Sequence, residues 1–261
     1  MKTLIILHGW QSSKEKWQRV KEEIESADIK VAVPDIPGFK PATKLSKPWT
    51  LNDYLNWLKA LTDNSSLIDI REEFSDIFLL GHSFGGRLAI KFAATYPERL
   101  RGLILVSAAG VKRKKNIFNL TFLAVARFAQ SVLKLLGFKK FEPFLRKMFY
   151  SYILRKTDYL KLSGHLRETM KNVLAEDITP LLEKISLPTL IVWGKKDKIT
   201  PLKDAYLMKQ KIQNSQLEIL EKIGHSPHLE NHQLLCQKVK SFLNTGLRSP
   251  TFCGRRKCGA D

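Results

Sequence analysis

Two kinds of hydrophobic pattern alternate along the chain. Short uninterrupted runs rich in Ile, Leu and Val occupy residues 3–7, 30–33, 77–80, 103–107, 189–193 and 217–220. Longer stretches with apolar residues at helical spacing occupy residues 14–25, 51–61, 84–95, 202–211 and 232–243. The first pattern is typical of strands buried on both faces, and the second is typical of amphipathic helices. Their alternation predicts an α/β domain built on a parallel sheet that is flanked by helices.

One interval, residues 111–186, lacks the short apolar runs. Its apolar residues form a helical stripe through Phe118, Phe122, Val125, Ala129, Val132 and Leu136. Because the interval lies between two predicted core strands, we interpret it as an insertion into a single core formed by residues 1–110 and 187–244. Polar residues interrupt each of its apolar runs, so it is too polar to span a bilayer. Residues 245–261, which contain Gly, Arg and Pro, predict a disordered tail.

The chain is strongly basic. Among its 261 residues, 44 Lys and Arg stand against 25 Asp and Glu, which gives a formal net charge of +19. Residues 111–186 contribute sixteen of the basic side chains and six of the acidic ones. A basic surface suits nucleic acid, an anionic membrane or an acidic carrier protein, and it also keeps a protein soluble. No nucleic-acid-binding motif accompanies the charge, so we predict no nucleic-acid partner. A membrane surface, an acidic carrier protein and solubility alone all stay open as roles for the charge.

A serine stands among glycines at the end of one apolar run, in "LLGHSFGGRL" at residues 79–88. A strand precedes it and a helix starts at Phe84, so Ser83 falls on the sharp turn between them. Glycines at positions 81, 85 and 86 remove side chains that would collide at such a turn. This is the nucleophile-elbow motif G-x-S-x-G in the strand–turn–helix context that it requires. The motif alone also describes a purely structural turn, so the companion residues decide between the two.

An acid should follow the serine in the sequence, and a histidine should follow the acid. Asp197, in "WGKKDKITP", comes directly after the fifth predicted strand. Because parallel strands all end at one edge of the sheet, Asp197 is expected on the same edge as Ser83. Alternatively, it is a solvated loop carboxylate or a cap for the next helix. Asp204 lies inside that helix and is the weaker candidate.

Three histidines follow the last predicted strand, in "GHSPHLENH". His225 comes directly after the strand, where its side chain could reach Ser83. His228 is predicted to brace the loop or to lie near the pocket rim, and His232 is predicted to begin the final helix. His225 would accept the Ser83 proton, while Asp197 would orient the imidazole and stabilise its charged form. Histidine suits this role at neutral pH because its ordinary pKa lies close to neutrality.

The oxyanion of an acyl-transfer intermediate needs hydrogen-bond donors. One is the backbone N–H that follows the nucleophile, here that of Phe84. The other belongs to the loop after the first strand, "LHGWQSS", where Trp10 is best placed. This chemistry requires no metal and no cofactor, and we predict neither.

Five segments resemble the α/β-hydrolase superfamily in order along residues 1–244: "LHGW", "VPDIPGF", "GHSFGG", "WGKKD" with "ITP", and "GHSPHLE". The resemblance implies an α/β-hydrolase fold with a mostly parallel sheet of about six strands. It also implies that residues 111–186 form a helical cap over the active site. Haloalkane dehalogenases and epoxide hydrolases of this fold carry aspartate where Ser83 stands, so both activities are disfavoured. The basic cap and "HGWQSS" fit proline iminopeptidases poorly.

The predicted function is therefore a serine carboxylesterase that cleaves small or medium apolar esters through an acyl-enzyme. Carbon–carbon bond hydrolases, lactonases and thioesterases remain alternatives. So do acyl-carrier-protein ester hydrolases, because "LHGW" resembles the oxyanion loop of the pimeloyl-carrier-protein methyl ester esterases. Outside the enzymes, the alternative is a ligand receptor that keeps the fold. Cap aromatics such as Phe118 and Phe122 either line the acyl pocket or hold the cap helices together.

Cellular context is indicated by the cysteines and the first residues. The cysteines at positions 236, 253 and 258 form no disulfide framework, and "MKTLIILHGW" does not have the pattern of a secretory signal. We therefore expect a cytoplasmic protein, monomeric or homodimeric, that acts on a small-molecule ester. Docking of the basic cap on a membrane surface or an acidic carrier protein is the less favoured alternative.

Overall fold

The structure, a computed structural model, describes residues 1–63, 76–112 and 164–245. Within these residues, six strands form one sheet in the order β2-β1-β3-β4-β5-β6, and all five pairings are parallel. The strands are β1 (Lys2–Leu7), β2 (Ile29–Ala32), β3 (Asp76–His82), β4 (Gly102–Val106), β5 (Thr189–Gly194) and β6 (Ser215–Leu220). The predicted parallel sheet is confirmed, and each predicted strand overlaps its observed counterpart.

Helices connect and cover these strands. In the described part of the chain they are α1 (Gln18–Ile24), α2 (Leu51–Asp63), α3 (Phe84–Thr95), α4 (Gly164–Ala175), α5 (Leu202–Lys211), α6 (Pro227–Glu230) and α7 (His232–Thr245). None of these helices is long and apolar enough to cross a membrane.

The single helix predicted over residues 14–25 is wrong in its first turn. Residues Lys14–Trp17 form a 3-10 turn, and the α-helix begins only at Gln18. The backbone of Trp17 lies at φ −104° and ψ 0°, outside the α-helical region, and its side chain is fully buried. Burial of this large ring therefore sets the local backbone, which the helical spacing of the sequence could not indicate.

An apolar layer covers each face of the sheet. In β1, Ile5 and Leu7 enter the layer that contains residues of α2, α3 and α5. Leu4 and Ile6 enter the opposite layer, with residues of α1 and α7. Since side chains alternate between the faces along a strand, a strand buried on both faces needs an unbroken apolar run.

The parallel arrangement brings the candidate residues to one edge. Trp10, Ser83, Asp197 and His225 follow β1, β3, β5 and β6, respectively, and parallel strands all end on the same side of the sheet. Ligands of open α/β sheets bind outside this carboxyl edge. The topology therefore directs attention to these four loops.

Helix α4, which falls in the interval predicted as a cap, packs on the core. The backbone N–H of Trp49 donates to Thr169 Oγ1 at 2.9 Å, and Asn172 Nδ2 donates to the carbonyl of Trp49 at 3.3 Å. Val173 is buried in the same apolar layer as α3. These contacts fix α4 beside the carboxyl edge of the sheet.

The rest of the predicted cap is outside the described residues. Residues 113–163, which include Phe118 and Phe122, and residues 246–261 of the predicted tail are not described. The cap boundaries, the roles of the two phenylalanines and the state of the tail remain predictions.

Candidate active site

Ser83 occupies a strained turn between β3 and α3. Its backbone lies at φ 52° and ψ −114°, where a residue with a side chain pays about 1–3 kcal/mol. Three backbone hydrogen bonds hold the turn. Ser83 N–H donates to the carbonyl of Val106 at 3.2 Å, and the Ser83 carbonyl accepts from Ala109 at 2.8 Å and from Arg87 at 3.3 Å. Helix α3, the end of β4 and the loop after β4 thus stabilise a conformation that the serine alone would avoid.

Glycines permit this turn because neighbouring backbone approaches them closely. A Cβ added at Gly81 would lie 2.5 Å from the carbonyl oxygen of Gly85. A Cβ added at Gly85 would overlap the carbonyl oxygen of Leu7 in β1. The steric role predicted for these two glycines is confirmed. On the other side of the turn, a Cβ at Gly9 would lie 3.4 Å from Ser83 Cβ, so the loop after β1 adjoins the serine side chain.

Asp197 and His225 form a hydrogen-bonded pair. His225 Nδ1 lies 2.8 Å from Asp197 Oδ2, and the side chains are 15% and 0% exposed, respectively. A carboxylate at this distance receives the Nδ1–H, so a neutral His225 keeps Nε2 free of a proton. This contact leaves Nε2 as the ring nitrogen of His225 that can accept a proton.

Asp197 is held by further donors. Its Oδ1 accepts from the backbone N–H groups of Ile199 and Thr200 at 2.8 and 2.9 Å, and its Oδ2 accepts from Thr200 Oγ1 at 2.8 Å. Burial alone would raise the pKa of Asp197, but hydrogen bonds from His225 and Thr200 outweigh it and leave the pKa below its ordinary value. Asp197 is therefore a carboxylate at neutral pH.

A cavity of about 350 Å³ opens at this edge, and both Ser83 and His225 line it. Most of its wall is apolar and includes Trp10, Phe84, Met170, Val173, Leu174 and Leu229. No hydrogen bond joins Ser83 Oγ to His225 in the described part of the chain. Such bonds are often long before substrate binds, so this does not exclude the pair from catalysis. A larger cavity of about 570 Å³ lies among residues such as Lys2 and Asp28, and it contains none of the predicted site residues.

Comparison with known proteins assigns the chain to a family. A family model described as "alpha/beta hydrolase fold" matches residues 2–232. The chain belongs to the α/β-hydrolase family.

Similar proteins include lipases and esterases. This α/β-hydrolase is 25% identical over 247 residues to Lipase 1 of Psychrobacter immobilis, which covers 92% of the chain and 76% of that lipase. It is 28% identical over 259 residues to the pimeloyl-[acyl-carrier protein] methyl ester esterase of Wigglesworthia glossinidia brevipalpis. The match covers 92% of the chain and 93% of that esterase. The solved esterase EaEST of Exiguobacterium antarcticum shares the fold, with a TM-score of 0.68, 21% identity and coverage of 94% and 92%.

The two residues expected to form the oxyanion hole lie beside the serine. Phe84 directly follows Ser83, and the Trp10 ring packs edge-on against the Phe84 ring with centroids 5.0 Å apart. Both residues line the cavity of this α/β-hydrolase. Donation by their backbone N–H groups remains a prediction.

Two more histidines form a buried stack next to His225. His82 Nε2 donates to the carbonyl of His225 at 2.9 Å, and the His82 ring meets the His228 ring edge-on at 4.6 Å. His228 in turn stacks on Trp17, with centroids 4.2 Å apart and planes 4° apart. Burial lowers the pKa of His82 to about 3 and that of His228 to about 2, so both are neutral at pH 7.

The weaker candidates lie elsewhere. Asp204 is buried in α5, and its backbone N–H donates to the carbonyl of Pro201 at 2.8 Å. His232, the first residue of α7, lies 3.6 Å from Glu23. In the described residues, no group of three or more His, Cys, Asp or Glu could hold a metal ion.

Sequence reasoning missed three residues that contact the pair or the residues beside His225. His82 binds the main chain of His225, and Thr200 binds Asp197. Glu230 accepts from the N–H of Gly224 at 2.7 Å and from the N–H of Ser226 at 3.0 Å, one on each side of His225. Thr200 had a local signal, because Asp, Ser and Thr commonly bond backbone two or three residues away. No local sequence signal indicated Glu230 or His82, because their hydrogen-bond partners come close only when the loop around His225 is folded.

Proposed function

We propose that this α/β-hydrolase is a serine carboxylesterase in which Ser83 is the nucleophile, His225 the general base and Asp197 its orienting carboxylate. One observation carries the proposal. His225, whose Nδ1 lies 2.8 Å from the buried Asp197 carboxylate, lines the same cavity as a serine on a strained strand-to-helix turn. The three groups recur together in hydrolases of many folds, where they act as a unit.

In the acylation step, Ser83 Oγ attacks the ester carbonyl while His225 Nε2 takes the hydroxyl proton. The resulting oxyanion would accept hydrogen bonds from the backbone N–H groups of Phe84 and Trp10. His225 then gives the proton to the departing alcohol, which breaks the ester bond and leaves an acyl-Ser83. Water repeats the sequence, with His225 again as base, and releases the carboxylic acid and free Ser83.

The proposed substrates are small or medium esters with an apolar acyl chain. The apolar wall supplied by α4 and by the Trp10 and Phe84 side chains supports this class, and so does the cavity volume of about 350 Å³. Named relatives that are a lipase and an esterase support ester hydrolysis at the general level. Thioester, lactone and carbon–carbon bond hydrolysis would begin with the same attack, so substrate assays must separate them.

Turnover of activated esters tests the proposal. Wild-type protein should hydrolyse p-nitrophenyl esters of two to eight carbons (about the range that such a cavity holds), and Ser83→Ala should abolish turnover without unfolding the protein. Binding of an ester without turnover would favour a ligand receptor. Faster cleavage of a matched thioester or lactone would reassign the substrate class and keep the mechanism.

A further inference from the structure

Arg87 is a buried cation beside the proposed nucleophile. It lies on α3 one turn after Ser83, and its backbone N–H donates to the Ser83 carbonyl at 3.3 Å. Arg87 is 7% exposed and lines the same cavity as Ser83 and His225. Arginine is almost never this buried without a partner for its charge. The buried charge of Arg87 therefore requires a counter-charge, either from the protein or from a ligand.

The protein supplies little of that counter-charge by direct contact. Within the described residues, Arg87 Nη2 donates to the main-chain carbonyl of Glu176, and Nε is buried with no partner. The Glu176 carboxylate instead binds Lys91 Nζ at 2.5 Å. Burial lowers the pKa of Arg87, while the nearby charges of Glu176 and Asp177 act in the opposite direction. Arginine stays charged in proteins, so Arg87 brings to the cavity wall a positive charge whose Nε–H has no partner among the described residues.

The cavity wall is otherwise suited to an anion with an apolar stem. Among residues 1–63, 76–112 and 164–245, its lining includes the cations Lys16 and Arg87 and contains no Asp or Glu. Met170 and Val173 of α4 line the same cavity and supply apolar surface. An arginine that only tied α3 to the segment after α4 would duplicate Lys91, which already binds Glu176.

We propose that Arg87 binds a carboxylate at the far end of the acyl chain, so that the preferred substrates are half-esters of dicarboxylic acids. This inference rests on the proposed function and specifies which esters the site selects. The planar guanidinium offers paired N–H donors that match a carboxylate. Ser83 directly precedes α3, Arg87 lies in the first turn of α3, and both line one cavity, so a chain of a few methylenes could join an acyl carbonyl at Ser83 to a carboxylate at Arg87.

Matched esters test the selection. The wild-type protein is assayed with the mono-p-nitrophenyl esters of glutaric, adipic and suberic acid, and with the p-nitrophenyl esters of pentanoic, hexanoic and octanoic acid. In each pair a terminal carboxylate replaces a methyl group. We expect kcat/KM to favour the carboxylate-bearing ester by roughly tenfold or more at one chain length, because a site built for a polar group discriminates strongly against its absence.

Four variants test whether the preference belongs to Arg87. Arg87→Met should abolish or reverse it while the apolar esters are still cleaved. Arg87→Lys should keep part of it, because the charge remains and the paired donors are lost. Lys91→Met is the matched control, since it lies on the same helix and contacts the same Glu176 outside the cavity, and it should keep the wild-type preference. Lys16→Met should weaken the preference less than Arg87→Met.

The outcomes separate this inference from the proposed function. Absence of turnover with every ester would contradict the serine esterase itself. Turnover of the apolar esters with no carboxylate preference at any length would overturn only the role of Arg87, and so would a preference that survives in Arg87→Met. If Arg87→Met does not fold, Arg87→Lys and the wild-type ester pairs decide. An unchanged preference in Arg87→Lys combined with its loss in Lys16→Met would assign the anion to Lys16 and contradict the inference.

Discussion

Replacement of Thr200 by valine removes a buried hydroxyl that contacts Asp197, the Ser107 carbonyl and His225 Nδ1. The buried Thr200 hydroxyl lies 2.8 Å from Asp197 Oδ2 and 3.1 Å from the carbonyl of Ser107. Valine has nearly the same shape, and the backbone N–H of residue 200 would still reach Oδ1. The substitution therefore measures what this hydroxyl contributes to the hydrogen bonds around Asp197, the carboxylate that contacts His225.

The expected cost follows from the kind of hydrogen bond. A hydrogen bond to a charged group contributes about 1.5–3 kcal/mol to the free energy of unfolding. We expect Thr200→Val to lose an amount near the lower value, because Ile199, His225 and the residue-200 backbone still donate to Asp197. If the same interaction energy is lost in the transition state, the turnover number kcat should fall by about tenfold, since 1.36 kcal/mol corresponds to a factor of ten. KM should not change, because Thr200 does not line the cavity.

The pH dependence has a definite sign. Because the folded-state pKa of Asp197 is below its ordinary value of 3.8, the stability that its interactions provide is present above that value. It is lost as the pH falls through the folded-state pKa. The stability difference between wild-type protein and Thr200→Val should therefore be full at pH 7 and should shrink as the pH falls below 3.8.

Urea denaturation at pH 7 and at a series of acid pH values measures this difference. Thr189→Val is the matched control, since that buried hydroxyl donates to the neutral carbonyl of Leu187 at 2.9 Å. The control should show a stability loss that does not vary with the titration of Asp197. A Thr200→Val protein as stable as wild type at pH 7, or a difference that widens toward acid pH, would refute the reasoning.

Three further predictions concern the base, its loop and the cap. His225→Ala should reduce kcat nearly as far as Ser83→Ala, whereas His228→Ala should lose about 0.5–1.5 kcal/mol of ring stacking but keep substantial activity; the opposite ranking in ester assays would make His228 the base. Glu230→Gln should lower kcat with little change in KM, because the amide can accept from only one of the two N–H groups beside His225. Glu221→Ala is the control, since the Glu221 carboxylate binds Lys195, and an equal fall in its kcat would contradict this prediction. Phe118→Ala and Phe122→Ala should change relative rates across ester lengths, and an unchanged profile in stable variants would exclude the cap as selector.

The strands were predictable because burial on both faces leaves a direct trace in the sequence. Residues such as Leu4 and Ile5 enter opposite apolar layers, so the alternation of polar and apolar positions disappears. The first turn of the helix predicted at residue 14 was not predictable. Its 3-10 geometry accompanies a Trp17 ring that is buried against His228, more than two hundred positions along the chain.

The candidate site was predictable in its chemistry and not in its supports. Ser83, Asp197 and His225 each follow a strand, and a parallel sheet must bring such positions to one edge. His82 could not be identified, because its hydrogen bond to His225 spans 143 positions. The same reason applies to Arg87, since its hydrogen-bond partner Glu176 lies 89 positions away. Local patterns carry no information about such contacts.

Covalent labelling with phenylmethylsulfonyl fluoride tests the central claim most directly. An activated serine oxygen attacks the sulfur of this reagent and displaces fluoride, so one sulfonyl adduct should form on Ser83 and turnover should stop in proportion to labelling. Labelling should become very slow in His225→Ala, since the serine would lose its base. Peptide mass spectrometry that finds the adduct on Ser83 alone, with this dependence on His225, is the predicted result. An adduct on another serine, or full ester turnover in Ser83→Ala, would contradict the account.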